Sequence, residues 1–260
     1  GAGVNLIFWV ASDAGPLRLR LFGQEAVCFF PTQQRAQVEK ILSPVTGWRI
    51  AATHLKNFDT EPMSALYLKS QRKLFDIRGR LAQNDIRVAE ADLKPTDRFL
   101  MERFITASVS IEGSFDENDS FTDIVPSNLR AIEYRPKLSA VSIDIKTDYL
   151  ASTLYSIAIY SEDVSMVYMV GSTESATMES EGEKALELYQ LNSEREVIGA
   201  FVRKIGELDP DVIMGWNIVN FDLRSLQDFC DRLKMPLLLG RNKEAINWRK
   251  AQDSTDRYYA

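Results

Sequence analysis

The sequence predicts a mixed α/β (α+β) protein, with a small antiparallel domain over residues 1–138 followed by a second α/β domain over residues 139–260. Three observations support this prediction. Strict apolar–polar alternation, as in residues 17–21, is typical of antiparallel strands and dominates the beginning of the chain. Nearly continuous apolar runs, as in residues 140–145, indicate strands buried on both faces and dominate the second half. A proline-containing joint at residues 135–137 separates the two patterns.

The first domain is predicted to combine antiparallel strands with three helices. A Gly-Pro turn at residues 12–16 joins the first two strands. Leu74, Ile77 and Leu81 recur at helical spacing, which predicts a helix with one apolar face. The acidic stretch 114–123 is predicted to be an exposed hairpin tip, and Trp48 is expected in a loop. The predicted strands cover residues 4–10, 17–21, 26–30, 65–68, 86–89 and 108–112, and the helices cover residues 32–42, 71–83 and 96–104.

The second domain is predicted to alternate strands and helices in the order β-β-β-α-β-α. Ser193 and Glu196 form a capping box, which predicts where its first helix begins. With carboxylates at the ends of the first and fourth strands, this order is that of the ribonuclease H-like nuclease fold. The predicted strands cover residues 140–145, 154–160, 166–170 and 212–216, the helices 193–208 and 222–234, and an acidic loop 174–183.

The charge of the chain restricts how it could contact nucleic acid. The 260 residues carry a net charge of −6, so no overall positive field attracts DNA. Contact would depend on metal ions or on local basic side chains, and the candidates are Arg18, Arg20, Arg72 and Lys73.

The rare residue types exclude several classes of site. Cys28 and Cys230 lack metal-ligand spacing and are expected to be reduced, buried thiols. His54 is the single histidine, which excludes His-rich zinc sites and makes a Ser-His-Asp triad an unsuitable interpretation. Because no run of about eighteen apolar residues occurs, we expect a soluble, cytoplasmic protein.

Two acidic residues follow buried strands of the second domain. Asp144 lies near the end of the run at residues 140–145, and Asp222 lies shortly after the strand at residues 212–216. If these strands are parallel neighbours, both carboxylates reach the same edge of the sheet, where they could hold a pair of Mg²⁺ ions for phosphodiester chemistry. The alternative interpretation is structural, with Asp144 in a turn and Asp222 as a helix N-cap.

Longer motifs give a family resemblance. Asp144-x-Lys146, followed by Asn217-x-x-x-Phe221-Asp222, is similar to the Asp-x-Glu and Asn-x-x-x-Phe-Asp exonuclease motifs of family B DNA polymerases. Together with residues 99–106, 209–217 and 221–224, these motifs make the chain resemble bacterial members of that family from about residue 4 to about residue 249.

The resemblance implies a function and a set of site residues. The chain would be an amino-terminal fragment of a DNA-directed DNA polymerase, with an amino-terminal domain and a 3′→5′ proofreading exonuclease domain that is incomplete at its C-terminus. Asp144 and Asp222 would bind Mg²⁺ or Mn²⁺, and Asn217 and Phe221 would shape the pocket around the 3′-terminal nucleotide. The implied partners are a DNA primer–template, a single-stranded 3′ end, the remainder of the polymerase and a sliding clamp, in a cytoplasmic, nucleoid-associated protein.

The departures from the family pattern put the nuclease activity in question. Lys146 stands where the family has Glu, so a metal ligand is missing and a cation is added. Neither the third exonuclease motif nor the polymerase motifs occur by Ala260, so we expect the fragment alone to be inactive. Lys146 could pair with Asp144 or Asp222, or could point to solvent. Asp148 could replace the missing ligand only if the backbone looped back.

Two functional interpretations therefore remain. The first is an enzyme fragment, a polymerase whose exonuclease metal site is impaired by Lys146. The second is a non-catalytic nuclease-like domain that positions DNA or the polymerase domain. Lys146 favours the second interpretation, whereas Asp144, Asn217 and Asp222 favour the first.

Overall fold

Strands from the two halves of the described chain belong to separate sheets. The structure is a computed structural model that describes residues 3–118, 120–172, 176–178, 185–250 and 258–259. The chain divides into two compact units, Gly1–Pro136 and Lys137–Ala260. Both units combine helices with β-sheet, so the predicted mixed α/β class is confirmed.

The first unit contains two sheets and three α-helices among its described residues. Its elements are, in chain order, β1 (Val4–Ser12), β2 (Gly15–Gln24), β3 (Ala26–Pro31), a 3₁₀ turn (Thr32–Gln34), α1 (Arg35–Leu42), β4 (Trp48–Lys56), β5 (Pro62–Leu68), α2 (Gln71–Ala82), α3 (Pro95–Met101), β6 (Val109–Glu117) and β7 (Thr122–Ala131).

The first sheet of this unit has the strand order β1-β2-β7-β6. Alternation along β2 places Leu19 and Leu21 on the face that packs against Phe99 of α3, and Arg18 and Arg20 on the opposite face. Arg18 forms a bidentate ion pair with Asp123 of the neighbouring β7, with nitrogen–oxygen distances of 2.7 and 2.6 Å. Strands β1 and β2 pair antiparallel, with Ser12 opposite Gly15, so the predicted hairpin between them is confirmed.

The predicted exposed hairpin tip at residues 114–123 is confirmed, but the tip is shorter than predicted. Strand β6 continues to Glu117, β7 begins at Thr122, and the two strands pair along most of this stretch. Strand β7 escaped prediction because Pro126 interrupts its pattern, and proline is normally excluded from paired strands. The fold accommodates Pro126 beside a register shift between Glu112 and Gly113.

The second sheet of this unit has the order β3-β5-β4 and is packed by α1 and α2. Strand β4 was predicted to be a loop, but Trp48–Lys56 pairs antiparallel with β5. The predicted strand at residues 86–89 is also wrong, because only an isolated bridge joins Ala89 to Phe29. The helix α2 is confirmed, with Leu74, Ile77 and Leu81 buried in its core.

The second unit contains one large sheet, two α-helices and a small two-stranded sheet among its described residues. Its elements are β8 (Ala140–Thr147), β9 (Leu154–Ser161), β10 (Ser165–Val170), β11 (Ala176–Met178), β12 (Leu186–Leu191), α4 (Glu194–Leu208), β13 (Val212–Met214), a π-helical turn (Ile218–Leu223), α5 (Arg224–Leu233), β14 (Arg249–Lys250) and β15 (Tyr258–Tyr259).

The large sheet has the order β11-β12-β10-β9-β8-β13, with α4 and α5 contributing to the apolar core beside it. Strands β11 and β12 were not predicted, so the simple order β-β-β-α-β-α is incomplete. Strand β12 is parallel to β10 and precedes α4. Most of the predicted acidic loop at residues 174–183 lies outside the described residues. Ser193 caps α4 as predicted, accepting a hydrogen bond from the backbone N–H of Glu196 at 3.3 Å.

Strand β8 is buried on one face and not on both, which corrects the prediction. Val141, Ile143 and Ile145 enter the core, whereas Asp144 and Lys146 are exposed on the opposite face. The apolar run therefore reflects one buried face with short polar interruptions, and its other face is available for chemistry.

Both cysteines are buried and unpaired, as predicted. Burial raises the pKa of the Cys28 thiol to about 12 and that of the Cys230 thiol to about 11. Both thiols therefore remain protonated at neutral pH and behave as small apolar side chains. No helix among the described residues is long and apolar enough to cross a bilayer.

Candidate functional site

Parallel pairing of β8 and β13 brings the two exonuclease-like motifs to one edge of the sheet. Ala140 lies opposite Val212, and Ser142 lies opposite Met214. Asp144 follows Ser142 by two residues, and the turn that contains Asp222 follows Met214. The prediction that these two strands are parallel neighbours is therefore confirmed.

A polar cluster fixes where β8 and β13 begin. Asp211 Oδ2 accepts hydrogen bonds from the backbone N–H of Ser139 at 2.9 Å and from its hydroxyl at 3.1 Å. Arg241 donates to Asp211 Oδ1 at 3.0 Å and to Asp209 Oδ1 at 2.7 Å. Burial alone would raise the pKa of Asp211, but the bonds from Ser139 and Arg241 outweigh it and lower that pKa. The cluster thereby sets the strand register on which the site depends.

We expect Asp211→Asn to destabilise the chain by about 1–3 kcal/mol at pH 7, because charge-assisted hydrogen bonds to partly buried groups are lost. The pKa of Asp211 is lower in the folded state, so its stabilisation is present above the unfolded value near 3.8 and is lost as the pH falls through the folded value. Urea unfolding at pH 7 and in acid measures this effect. An equal difference between variant and wild type at both pH values would contradict it.

A tight turn connects β13 to the second motif. A Cβ atom at Gly215 would lie 2.6 Å from the backbone oxygen of Ile143, so only glycine allows this approach to β8. Asn217 then adopts a left-handed conformation with φ of 57°. Its carbonyl accepts a hydrogen bond from the backbone N–H of Phe221 at 2.9 Å. The chain next forms a π-helical turn, a feature found frequently at functional sites.

Asp222 is buried within this π-helical turn and is not the N-cap of α5, which corrects the structural alternative. Its side chain is 2% exposed, and Oδ1 accepts a hydrogen bond from the backbone N–H of Ile145 at 3.2 Å. Oδ2 is buried and has no hydrogen-bond partner among the described residues. Burial raises the pKa of Asp222, and the negative charge of Asp144 adds to the increase.

Asp144 and Lys146 form an ion pair on the exposed face of β8. Lys146 Nζ lies 2.7 Å from Asp144 Oδ2, and the two side chains are 71% and 53% exposed. The hydrogen bond with Asp144 and the charge of that carboxylate raise the pKa of Lys146. Of the two arrangements considered for Lys146, the structure shows the salt bridge, with an ammonium that remains largely in contact with solvent.

Asp148 does not replace the missing carboxylate. Its Oδ1 accepts from the backbone N–H groups of Ser152 at 2.6 Å and Thr153 at 2.9 Å, and its Oδ2 accepts from the Ser152 hydroxyl at 2.6 Å. These bonds, with that of the Ser152 hydroxyl first, lower the pKa of Asp148. The carboxylate therefore stabilises the turn between β8 and β9.

The residues at this edge do not fit a pair of divalent cations. No group of three His, Cys, Asp or Glu side chains that could hold a metal ion occurs in the described part of the chain. The unpartnered Oδ2 of Asp222 suits a cation, but the ammonium of Lys146 already neutralises Asp144. Two carboxylates, one of them paired with the ammonium of Lys146, make a poor ligand set for hard cations, which prefer several oxygen ligands.

Exposed aromatic side chains surround the second motif. Trp216 is 94% exposed and Phe221 is 39% exposed, and of the strand before them, β13, only Ile213 packs against the core. Trp216 was expected to end a strand and was not included among the candidate site residues. Its position directly before Asn217 of the second motif is the sequence signal that could have added Trp216 to the candidate residues.

Comparisons with known proteins agree with the two motifs. A family model described as "DNA polymerase family B, exonuclease domain" matches residues 86–257. The chain belongs to the family B DNA polymerases. A second family model, "DNA polymerase II, insertion domain", matches residues 26–86 of this family B polymerase chain.

Individual relatives support the same assignment. DNA polymerase II of Escherichia coli (strain K12) is 36% identical to this family B chain over 249 residues, which cover 95% of the chain and 31% of that protein. The DNA polymerase of Pyrococcus horikoshii is 29% identical over 134 residues, which cover 50% of the chain and 10% of that protein.

A solved structure supports the fold. The family B DNA polymerase from Pyrobaculum calidifontis matches with a TM-score of 0.74 at 16% identity, over 95% of this chain and 32% of that chain. The chain therefore spans about a third of the length of the relatives that it matches along most of its sequence.

Proposed function

We propose that this chain is part of a DNA-directed DNA polymerase that acts in DNA replication or repair synthesis. Similarity to E. coli DNA polymerase II along 95% of the chain supports this function. Residues 1–138 would form the amino-terminal domain, and residues 139–260 would form the exonuclease-fold domain. The proposed partners are a primer–template, a single-stranded 3′ end, the other polymerase domains and a sliding clamp.

The proposal includes an exonuclease-fold unit that holds Mg²⁺ or Mn²⁺ weakly. Exonuclease domains of this family generally use divalent metal ions. In this chain, Asp144 and Asp222 would bind them. The observation that carries the proposal is the 2.7 Å ion pair between Lys146 and Asp144. A metal ion that binds Asp144 must displace the ammonium of Lys146 from this carboxylate. The positive charge of Lys146 then still repels the metal ion from a short distance.

Asn217 and Phe221 are the proposed contacts for the terminal nucleotide. Asn217, with a left-handed backbone, precedes the π-helical turn, and Phe221 within that turn is 39% exposed. Aromatic rings of this kind stack on bases without requiring a particular sequence. The proposed contacts for a 3′ end therefore do not include Lys146, whereas the proposed metal contact does involve it.

The alternative is a nuclease-like domain that positions DNA without cleaving it, and the Lys146–Asp144 pair is the observation in its favour. The two functions differ in the response to Lys146→Glu. In an impaired nuclease this substitution restores a ligand and with it hydrolysis. In a purely positioning domain the same substitution leaves hydrolysis absent.

We expect the 260-residue chain to bind DNA weakly and with a strong dependence on salt, because its net charge is −6 and contact must come from local basic side chains. Fluorescence anisotropy with a labelled single strand and a primer–template, each from 50 to 300 mM salt, measures this. Primer extension by the whole protein tests the polymerase function. Tight, salt-insensitive binding would contradict the electrostatic account, and absence of extension would contradict the proposed polymerase.

A further inference from the structure

The small sheet of the first unit, with its two helices, carries a local charge opposite to that of the whole chain. Residues 26–86 contain nine Lys and Arg and five Asp and Glu, a net charge of +4, whereas the chain carries −6. A region this basic within an acidic chain indicates a local surface that binds anions, because the chain as a whole does not attract them.

Helix α2 concentrates this positive charge on its exposed side. Leu74, Ile77 and Leu81 face the core of the small sheet. The exposed side carries four cations and one carboxylate, Asp76. We call the four cations the basic face of α2: Arg72, Lys73, Arg78 and Arg80.

The cations of the basic face are not neutralised by ion pairs in the described part of the chain. Lys73 Nζ donates to the backbone oxygen of Thr46 at 3.3 Å, which leaves its charge uncompensated. Other cations of the same region are paired instead. Arg35 lies 2.8 Å from Glu39, and Arg49 lies 2.5 Å from Glu25.

A glycine and an aromatic ring complete this surface. Gly79 lies between Arg78 and Arg80, and a Cβ atom there would have no neighbouring atom within 4 Å. Because a Cβ atom would meet no neighbour, packing does not require glycine at this position. Helix propensity does not favour it either, since glycine is the least favourable residue inside a helix apart from proline. A missing side chain allows a ligand to approach the helix backbone closely. Phe75, which is 51% exposed, flanks the same face.

We propose that the basic face of α2 binds the phosphate backbone of DNA, outside the exonuclease-like site. This inference rests on the proposed function, because DNA is the polyanion that a polymerase encounters. The arginines contact phosphate oxygens, Gly79 allows the strand to approach, and Phe75 offers a stacking surface to an unpaired base. The contact is independent of sequence and of divalent metal.

The test compares two double variants of the 260-residue chain with the same change in charge. Arg72→Gln with Arg80→Gln removes two unpaired cations, and Arg35→Gln with Arg49→Gln removes two paired ones. Anisotropy with a labelled single strand and with a duplex, in EDTA, gives affinity as a function of salt. We expect the first variant to bind about ten-fold more weakly at 50 mM salt, with a salt slope lower by about 1.4 on the single strand, and the control to change by less than about three-fold.

Gly79→Ala provides a second, independent variant. Alanine favours the helix, so we expect a higher melting temperature together with DNA binding that is about two- to five-fold weaker. Unchanged DNA binding by Gly79→Ala would contradict a close approach of the strand to the helix backbone at Gly79.

The results that overturn the inference are distinct from those that overturn the proposed function. Equal DNA binding by the two double variants, or no binding by the unaltered chain, overturns a DNA contact at α2. Neither result affects primer extension by the whole protein, which judges the polymerase function separately.

Discussion

Lys146→Glu is expected to raise the affinity of the 260-residue chain for Mn²⁺ and Mg²⁺ by about ten-fold or more. The substitution removes an ammonium that lies 2.7 Å from Asp144 Oδ2 and adds a carboxylate on the same face of β8. At an effective dielectric constant of about 20, unit charges 4 Å apart interact by about 4 kcal/mol, and a divalent ion doubles this. Exposure of both side chains screens most of that energy, but about 1.4 kcal/mol suffices for a ten-fold change. Calorimetric titration with each metal measures the affinity.

Lys137→Glu is the matched control for this prediction. Lys137 also forms an exposed ion pair in the same unit, with Glu162 at 3.5 Å, and its substitution changes the charge by the same amount. We expect little change in metal affinity, because Lys137 precedes β8 and lies outside the two motifs. Equal gains in the two variants would show that net charge, and not the ligand set at position 146, controls metal binding.

Gly215→Ala is expected to destabilise the second unit by about 1–3 kcal/mol or more. The new Cβ would lie 2.6 Å from the carbonyl oxygen of Ile143, a backbone atom that cannot move without displacing β8. Overpacking of this kind normally costs about 1–3 kcal/mol, and a rigid neighbour raises the cost. The same displacement would disturb Asp144, the next residue along β8. Thermal and urea unfolding measure the change in stability.

Gly206→Ala is the control for the second prediction. Gly206 lies in α4, and a Cβ atom there meets nothing within 4 Å. Alanine in an exposed helical position stabilises by about 0.5–1 kcal/mol relative to glycine. Similar stability of the Gly215→Ala variant and the wild type would contradict the close approach between the turn and β8.

The elements that sequence could predict are those in which local pattern and burial agree. Leu17, Leu19 and Leu21 alternate as they do in the folded sheet, and the apolar stripe of α2 matches its buried face. Parallel pairing of β8 with β13 was considered because each apolar run has a motif carboxylate near its end or shortly after it, and the structure shows this pairing. In β2 and α2 one neighbouring layer of structure determines burial, so the period of the sequence is sufficient.

The elements that sequence missed depend on long-range partners. Strand β4 contains Ala, Thr and His and is stabilised as a strand by its pairing with β5. Strand β7 contains Pro126, which a register shift accommodates. The burial of Asp222 could not be predicted, because it arises from a π-helical turn that sets the side chain against the backbone of Ile145. The Lys146–Asp144 pair was only one of several geometries that the motif allowed.

The most direct test of the impaired metal site is the exonuclease rate of the whole protein on a labelled single strand with Mg²⁺. Two proteins are compared, one with Lys146 and one with Lys146→Glu. We predict very slow shortening from the 3′ end by the Lys146 protein, and a rise of about ten-fold or more with Lys146→Glu. Rapid digestion by the Lys146 protein, unchanged by Lys146→Glu, would contradict the conclusion that this residue disables the site.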